Sequence, residues 1–397
     1  MHTSLTARRL ITDGGQVDFP VLEMDEEGRL VSIGTDPQVL ANESTTLSSA
    51  LLDIHLHGAG GVDVTNASPA QMRELTSFLA RHGVGYFLPT TVTAPVDFTL
   101  RALERIAKTI DSSGSIEGAT PLGIHIEGPF LSHTKRGMHP SEHLQAPSIE
   151  LFDRLQSAAG GHIRLITIAP EAEAGPFVTS GFERVSALDL IRYASRQGVA
   201  CSIGHSNALA SEAVAAIEAG AVSATHTFNA MRPLDHREPG ILGVVLQDDR
   251  IFADLICDGV HVSPEAVRLW WKAKGAQRAI LITDALPAAG IGDGNFRVGD
   301  AWITAHQGRA LVSRDLAQGT ETLAGSVLML PQAVKNFVDF TAAEIKDGLR
   351  LASHNPAAML KRSDVMRLEP GSPVNLTRWD EAGNLVTTYL RGLEVKR

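Results

Sequence analysis

The middle of the chain repeats one pattern, in which a short apolar run is followed by a segment with helical periodicity. Alternation of strands and helices along a sequence predicts a parallel sheet with helices packed on its faces. Eight runs match the strand number of a closed (β/α)8 barrel, a fold that usually takes about 250 residues or more. The runs cover residues 51–57, 85–92, 121–128, 163–170, 200–206, 221–229, 250–258 and 278–286.

Helical segments separate most of these runs, and several begin with Ser or Pro, as helix N-termini often do. The alternative to a barrel is an open doubly wound sheet, which is expected to carry a G-x-G-x-x-G turn after its first strand. Here Gly58-Ala-Gly60-Gly61 follows two histidines instead, which favours the barrel. The amphipathic segments include residues 69–82, 147–158, 187–197, 208–219 and 264–274.

The two ends of the chain have a different pattern. Residues 7–49 and 371–397 alternate short apolar stretches with turn signals, which predicts small antiparallel strands. We therefore predict a small β-sandwich domain built from residues 1–49 and 365–397, and a catalytic barrel over residues 50–364.

Two regions of the predicted barrel depart from the alternating pattern. Residues 287–322 are predicted to form a long insertion that contains a hairpin around Gln307-Gly308. Helical periodicity then returns over residues 326–361.

Charge and cysteine content narrow the function classes. The 397 residues carry a formal net charge of −10, from 35 basic and 45 acidic side chains, which disfavours a nucleic-acid partner. Two cysteines, Cys201 and Cys257, favour a reducing compartment. The first residues lack the apolar core of a signal peptide, and no apolar run approaches the roughly 20 residues of a membrane span. We expect a cytoplasmic protein that acts on a small molecule without contacting a membrane.

Polar side chains cluster at the ends of the predicted strands, where barrel enzymes place their active sites. Residues two apart on a strand point to the same side, so His55 and His57 can bind one metal ion. Imidazole and carboxylate ligands together suit zinc or another first-row divalent ion. The residues that end the runs are His55 and His57 in the first, Glu127 in the third, His205 in the fifth, His226 in the sixth and Asp284 in the eighth.

An ordered set of motifs covers nearly the whole chain. The motifs are Asp53-Ile-His-Leu-His-Gly58 with Gly60-Gly61, Gly123-Ile-His-Ile-Glu-Gly-Pro-Phe130, Lys135-Arg-Gly-Met-His-Pro140, Gly204-His-Ser-Asn207, Thr225-His-Thr-Phe-Asn-Ala-Met231, Arg237-Glu-Pro-Gly240, Asp258-Gly-Val-His261 and Thr283-Asp-Ala285. This set resembles the amidohydrolase superfamily, and within it the N-acetylglucosamine-6-phosphate deacetylase family. The fourth run, residues 164–170, has no lysine that could be carboxylated to bridge two metals, which disfavours relatives of the dihydroorotase or hydantoinase type.

The resemblance implies a divalent metal ion, zinc first among the candidates, with one or two ions per subunit. It implies that Glu127, His205 and His226 hold the main metal ion, and the presence of His55 and His57 allows a second. It also implies a homodimer.

The resemblance further assigns the catalytic and substrate residues. Asp284 is expected to be the acid/base, and His261 to lie near the scissile amide and to stabilise the oxyanion together with the metal. Arg237 resembles a phosphate-binding arginine of either the same or the neighbouring subunit, and His139 is expected to help it. The implied substrate-binding residues are Met138, His139, Asn229, Ala230, Arg237, His261, Leu323, Ala324 and Gly325.

The expected reaction is hydrolysis of the acetamide of N-acetylglucosamine 6-phosphate by a metal-activated water, giving glucosamine 6-phosphate and acetate. The same chemistry on N-acetylgalactosamine 6-phosphate stays open, because the two sugars differ at one stereocentre. A catalytically inactive barrel that binds a sugar phosphate is the alternative from another class. Loss of a metal ligand or of Asp284 would favour it, and none is lost.

Overall fold

The computed structural model describes residues 3–38, 44–112, 118–175 and 181–396, and strands and helices alternate over residues 84–282. The strands are β1 (Thr3–Thr6), β2 (Arg9–Thr12), β3 (Gly15–Asp18), β4 (Pro20–Met24), β5 (Leu30–Thr35), β6 (Thr46–Ser49), β7 (Leu51–Leu56), β8 (Gly58–Ala59), β9 (Val62–Asp63), β10 (Val84–Thr91), β11 (Thr120–Pro121), β12 (Ile124–Glu127), β13 (Ile163–Ile168), β14 (Ala200–Ile203), β15 (Ala221–Ala224), β16 (Phe252–Ile256), β17 (Ala279–Ile282), β18 (Gly294–Val298), β19 (Ala301–His306), β20 (Arg309–Val312), β21 (Leu376–Trp379), β22 (Leu385–Leu390) and β23 (Leu393–Glu394). The helices are α1 (Pro69–Arg81), α2 (Val96–Asp111), α3 (Ile149–Ala158), α4 (Ala187–Arg196), α5 (Ala210–Ala219), α6 (Gly240–Gln247), α7 (Pro264–Arg278), α8 (Ser313–Ala317), α9 (Leu330–Thr341), α10 (Ile345–Leu351) and α11 (His354–Met359).

Eight parallel strands form the predicted barrel. Strand β7 pairs with β10, and β10, β12, β13, β14, β15, β16 and β17 follow in order around the sheet. The residues just beyond β17 complete the circle, because the Asp284 N–H donates to the His55 carbonyl at 2.9 Å and Leu56 bridges to Ala285. Every residue of β7, β10 and β17 is buried, as expected for parallel strands covered on both faces. The (β/α)8 prediction is confirmed.

The helices show which sequence signals decide local structure. Helix α1 begins with a capping box between Ser68 and Gln71, a device of about 1 kcal/mol, and buries Met72, Leu75 and Leu79 at helical spacing. Helix α6 was not among the predicted segments. Its sequence GILGVVLQ is apolar almost throughout, so it has no helical period that distinguishes it from a buried strand.

Strands from both ends of the chain form the predicted sandwich. A three-stranded sheet of β1, β4 and β5 faces a six-stranded sheet of β23, β22, β21, β6, β2 and β3, around a core that includes Leu10, Leu22 and Leu376. The expectation of antiparallel strands is wrong for one pair, because β2 and β6 run parallel. The segment between them is long enough for the crossover that a parallel pair needs. The division of the chain at residues 49–50 and 364–365 stays a prediction.

The predicted insertion is a three-stranded antiparallel sheet of β18, β19 and β20. Its predicted hairpin is confirmed: His306 pairs with Arg309, and Gln307 and Gly308 between them have φ of 50° and 77°, as a type I′ turn requires. The sheet packs beside the barrel mouth, where Ile303 belongs to one apolar cluster with Leu286 and Ala324. Among the described helices, none combines the length and the apolar character needed to cross a lipid bilayer.

Candidate active site

The barrel brings the six predicted strand-end residues together at one mouth. His55 lies in β7 and His57 directly follows it, whereas Glu127 is the last residue of β12. The other three each lie two residues beyond a strand end, after β14, β15 and β17. All six side chains are buried: His55, His57, Glu127, His205, His226 and Asp284.

Glu127 stands between two groups of imidazoles. Its Oε1 lies 3.2 Å from Nε2 of His205 and 3.1 Å from Nε2 of His226. The same oxygen lies 3.3 Å from Nε2 of His55, and Oε2 lies 3.2 Å from Nε2 of His57. One carboxylate can therefore bridge two neighbouring metal positions.

Backbone carbonyls fix the tautomers of three of these histidines. In each ring Nδ1 lies within hydrogen-bond distance of a carbonyl oxygen, at 3.2 Å for His57, 2.9 Å for His205 and 3.2 Å for His226. Because a carbonyl only accepts, each Nδ1–H donates, which leaves Nε2 of each ring as the atom that can present a lone pair to the centre once it is unprotonated. Metal-bound histidines have this arrangement. The accepting carbonyls belong to Thr90, Lys135 and Asn229.

His139 has the opposite tautomer. The backbone N–H of Thr93 donates to its Nδ1 at 3.2 Å, so the ring proton lies on Nε2, which faces Glu127 Oε2 at 3.2 Å. Burial lowers the pKa of His139 to about 4, although the Glu127 carboxylate acts to raise it. The ring is therefore neutral at neutral pH. His139 is therefore a hydrogen-bond donor at the centre, although its distances alone would also allow it to be a ligand beside Glu127 and His205.

Charge coupling sets the protonation of the acidic groups. Burial raises the pKa of the Asp284 carboxyl, but the facing His55 and His57 outweigh this and lower it to about 2. Burial also acts to raise the pKa of Glu127, and the surrounding histidines hold it well below its ordinary value. In the absence of a metal ion, burial lowers the pKa of His57, whereas hydrogen bonds to Asp284 and Glu127 raise it to about 10.

Three of the six strand-end residues have a left-handed backbone, which costs a residue other than glycine about 1–3 kcal/mol. The φ angles are 46° at His205, 36° at His226 and 51° at Asp284. The buried carboxylate of Asp254 accepts a hydrogen bond from the His226 N–H, which helps hold this turn. Strained backbone clusters at functional sites, which supports this mouth as the candidate site.

A cavity of about 300 Å³ opens above these residues, at the small end of the range for small-molecule sites. His261 faces it with its ring fixed by Asp258, whose Oδ2 lies 2.7 Å from Nδ1. Seven of the predicted substrate residues line this cavity: Met138, His139, Asn229, Ala230, His261, Leu323 and Gly325.

Two predicted substrate residues lie elsewhere. Ala324 is 1% exposed and packs under the insertion sheet, because its neighbours Leu323 and Gly325 turn toward the cavity instead. Arg237 is exposed on the loop before α6 and does not line the cavity of its own chain. The structure also adds Thr134 and Lys135 to the cavity wall. Lys135 stands in one of the sequence motifs, but spacing alone could not show which way its backbone faces.

Comparisons with known proteins agree with this site. The model of the Amidohydrolase family matches residues 46–395. The chain is 35% identical to the N-acetylgalactosamine-6-phosphate deacetylase of Escherichia coli O157:H7, with 98% of each chain covered. It is 34% identical to the N-acetylglucosamine-6-phosphate deacetylase of Bacillus subtilis (strain 168), with 84% of this chain and 82% of the relative covered. A solved structure of a mutant N-acetyl-D-glucosamine-6-phosphate deacetylase from Mycobacterium smegmatis, in complex with N-acetyl-D-glucosamine-6-phosphate, is similar with a TM-score of 0.88, 30% identity and 100% of each chain covered.

Proposed function

The chain belongs to the amidohydrolase family and, within it, to the deacetylases of N-acetylated hexosamine 6-phosphates, and from this we propose that it hydrolyses the acetamide of N-acetylglucosamine 6-phosphate. The products are glucosamine 6-phosphate and acetate. The observation that carries the proposal is the position of Asp284, whose Oδ1 lies 3.2 Å from Nε2 of His57 at the edge of the ligand set. A carboxylate held there can move a proton at a water bound by the same centre.

The donor set fits a divalent metal ion. Glu127, His205 and His226 would hold the main ion through one carboxylate and two Nε2 lone pairs, and His55 and His57 would share Glu127 with a second. Nitrogen and carboxylate donors suit zinc, which we propose as the resident ion, with one or two per subunit. When bound, such an ion lowers the pKa of a water molecule and polarises a carbonyl group.

Asp284 is the proposed acid/base. In the metal-free site the facing His55 and His57 lower its pKa to about 2, and a bound metal ion would supply positive charge in their place, so its carboxylate would be ionised at neutral pH and able to accept a proton from the attacking water. The same carboxyl then returns this proton to the sugar nitrogen as the amide bond breaks. The acetyl carbon must therefore lie within reach of both this carboxylate and the ligand set.

His139 is the proposed donor to the acetyl carbonyl oxygen. Its Nε2–H points at the Glu127 carboxylate. The same N–H can instead donate a hydrogen bond to the acetyl carbonyl oxygen of a substrate that lies beside this carboxylate. The sequence suggested His261 for this role. However, Nδ1–H of His261 donates to Asp258 at 2.7 Å, whereas Nε2 of His139 lies 3.2 Å from the Glu127 carboxylate of the ligand set. We therefore place His261 at a sugar hydroxyl together with Asn229 and the Ala230 backbone, and we propose that His139 serves the acetyl group and not the phosphate.

Phosphate binding is proposed for Arg237 of the neighbouring subunit of a homodimer. In its own chain this side chain is exposed and outside the cavity, so a second copy would have to supply it. Lys135, a residue of the cavity wall, is a second candidate for a phosphate contact from the same chain. The two cysteines, Cys201 and Cys257, are free and buried, and we propose a reducing cytoplasm as the site of the reaction.

Deacetylation of N-acetylgalactosamine 6-phosphate is the second candidate. The observation that favours it is the Escherichia coli O157:H7 relative, 35% identical over 98% of both chains. The two substrates differ only at the C4 hydroxyl. Measurement of kcat/KM for both phosphorylated sugars decides between them, and we expect the glucosamine epimer to be preferred. A preference for the other epimer would move the assignment, and binding of both without release of acetate would support an inactive sugar-phosphate-binding barrel.

A further inference from the structure

One buried acidic side chain beside the site has no role in the mechanism above. Asp53 lies in β7 and is 0% exposed. Its Oδ2 accepts a hydrogen bond from the hydroxyl of Thr283 at 2.6 Å, and its Oδ1 accepts one from the backbone N–H of His55 at 3.2 Å. Asp53 therefore links the first barrel strand to the segment just beyond the last one.

The side chain of Thr283 forms a hydrogen bond across Asp284, the residue that follows it. Its hydroxyl donates to Asp53 and accepts a hydrogen bond from the N–H of Ala285 at 3.1 Å. The side chain thus closes a small ring over Asp284 and holds the peptides on both sides of it. Of the two acceptors within reach of this hydroxyl, the Asp53 oxygen at 2.6 Å is closer than the His55 carbonyl at 3.4 Å, so the hydroxyl proton is directed to Asp53.

The backbone of Asp284 depends on such support. Its φ of 51° is unfavourable for a residue with a Cβ atom. Its N–H donates to the His55 carbonyl at 2.9 Å, and its carbonyl accepts from the N–H of Ser326 at 2.8 Å. The hydroxyl of Ser326 also donates to the Thr283 carbonyl at 2.6 Å. The acid/base therefore sits on a strained turn that is tied to β7 on one side and to Ser326 on the other.

We propose that Asp53 and Thr283 are positioning residues for Asp284, with the Asp53 carboxylate orienting the Thr283 hydroxyl so that this hydroxyl holds the Asp284 turn. Neither side chain lines the cavity, so neither touches the substrate. The inference rests on the proposed function, since it concerns the orientation of the proposed acid/base. It assigns a role in turnover to a pair that would otherwise be a structural link between two strands.

The test uses substitutions that separate the hydroxyl from the shape of the side chain. Thr283→Val keeps the branched shape and removes the hydroxyl, whereas Thr283→Ser keeps the hydroxyl. Asp53→Asn retains an oxygen for the His55 N–H but presents an N–H₂ group to the Thr283 oxygen, which reverses the direction of that hydrogen bond. Thr76→Val is the matched control, because it removes an equally buried hydroxyl from α1.

Misplacement of a catalytic group by about 1 Å can cost about 10²-fold in rate. We expect Thr283→Val and Asp53→Asn each to lower kcat by at least about 10-fold, with KM and metal content within about twofold of wild type. Thr283→Ser should stay within about threefold of wild type, Thr76→Val should match it, and the double variant should lose no more than the worse single variant.

Equal kcat in Thr283→Val and wild type, or equal loss in Thr283→Ser and Thr283→Val, would overturn the proposal. If Thr283→Val does not yield folded protein, Asp53→Asn takes its place. Equal kcat in Asp53→Asn and wild type, or equal loss in Asp53→Asn and Thr283→Ser, would then overturn the proposal. A crystal structure of the Thr283→Val or Asp53→Asn protein gives a readout without turnover. We expect Oδ1 of Asp284 to leave its position 3.2 Å from Nε2 of His57, and an unmoved carboxylate would contradict the proposal. Wild-type protein that releases no acetate would count against the proposed function and not against this orientation.

Discussion

The Nε2 atoms of His205 and His226 lie 3.0 Å apart, and the Nδ1–H group of each ring is committed to a backbone carbonyl. Both lone pairs therefore point at one spot, which also faces the Glu127 carboxylate. Such an arrangement is unfavourable without a positive charge between the donors. The fold thus builds a cation site from three strand ends, and this relationship underlies the predictions below.

Removal of the metal ion should abolish turnover and weaken the fold. A ligand present at 1,000 times its Kd stabilises the native state by about 4 kcal/mol, so a chelator should lower Tm by several degrees. Elemental analysis, calorimetry and activity measured on the same samples test this. Zinc should restore both Tm and activity, and a chelated protein with unchanged Tm would show that these side chains do not hold a metal.

The number of ions depends on the first strand. His55→Ala/His57→Ala should lower the bound metal from two ions to one, because Glu127, His205 and His226 remain intact. Metal content per subunit, measured by mass spectrometry, tests this. Equal metal content in wild type and the double variant would remove His55 and His57 from the ligand set.

Metal binding at His57 should depend on pH. The pKa of His57 is raised from 6.5 to about 10 by Asp284 and Glu127, so below pH 10 a metal ion must displace a proton. Apparent affinity should therefore rise with pH, by at most about tenfold per pH unit. The stability of the metal-free protein should fall as pH rises from 6.5 to 10, because over this range its folded state binds more protons than its unfolded state. Titration calorimetry measures the metal affinity over this range, and thermal melts of chelator-treated protein measure the stability. If affinity and stability both rose or both fell with pH, the raised pKa of His57 would be contradicted.

Asp284→Asn should keep the metal ion and the fold but lose about 10²–10⁴-fold in kcat, because an amide cannot accept the proton of the water. Asp97→Asn, at an exposed position in the first turn of α2, is the control and should leave the rate unchanged. Near-normal turnover of Asp284→Asn would exclude Asp284 from the mechanism.

Arg237→Ala should strongly impair turnover of the phosphorylated sugar and barely affect unphosphorylated N-acetylglucosamine, because the phosphate orients the remote acetyl group. Arg237→Lys should restore it only in part, since Lys lacks the bidentate fork. Arg196→Ala, an exposed substitution in α4, is the control. Mixing Arg237→Ala with Asp284→Asn should regenerate up to about a quarter of the sites if a dimer partner supplies the arginine. Equal losses on both sugars would mean that Arg237 supports the fold.

The meeting of the six site residues could be predicted from sequence, because parallel barrel strands present their carboxyl ends at one mouth. The structure places His55 and His57 at the end of the first barrel strand and Glu127 at the end of the third, as the sequence predicts. What sequence could not supply is the direction of each hydrogen bond. His139 and His205 look equivalent in a motif, yet one ring meets the N–H of Thr93 and the other the carbonyl of Lys135. These opposite partners depend on tertiary contacts, and they separate a hydrogen-bond donor from a metal ligand.

Local periodicity failed where burial was uniform or pairing was distant. Helix α6 is apolar on nearly every side, so its sequence has no period to read. The parallel pairing of β2 with β6 joins residues more than 30 positions apart, which no short-range turn signal reports. The role of Arg237 could not be predicted from sequence for a different reason. The sequence of its own loop does not show which residues it would contact in another subunit.

The most direct test of the central claim is the fate of solvent oxygen during turnover. Metal-loaded protein should be incubated with N-acetylglucosamine 6-phosphate in ¹⁸O-labelled water, with Asp284→Asn as the control, and the products analysed by mass spectrometry. Attack of water on the acetyl carbonyl predicts one ¹⁸O atom in acetate and almost no product from Asp284→Asn, with the exchange of the sugar's anomeric oxygen measured in a sample without enzyme. Unlabelled acetate, label in released phosphate, or absence of acetate would contradict the proposed deacetylation.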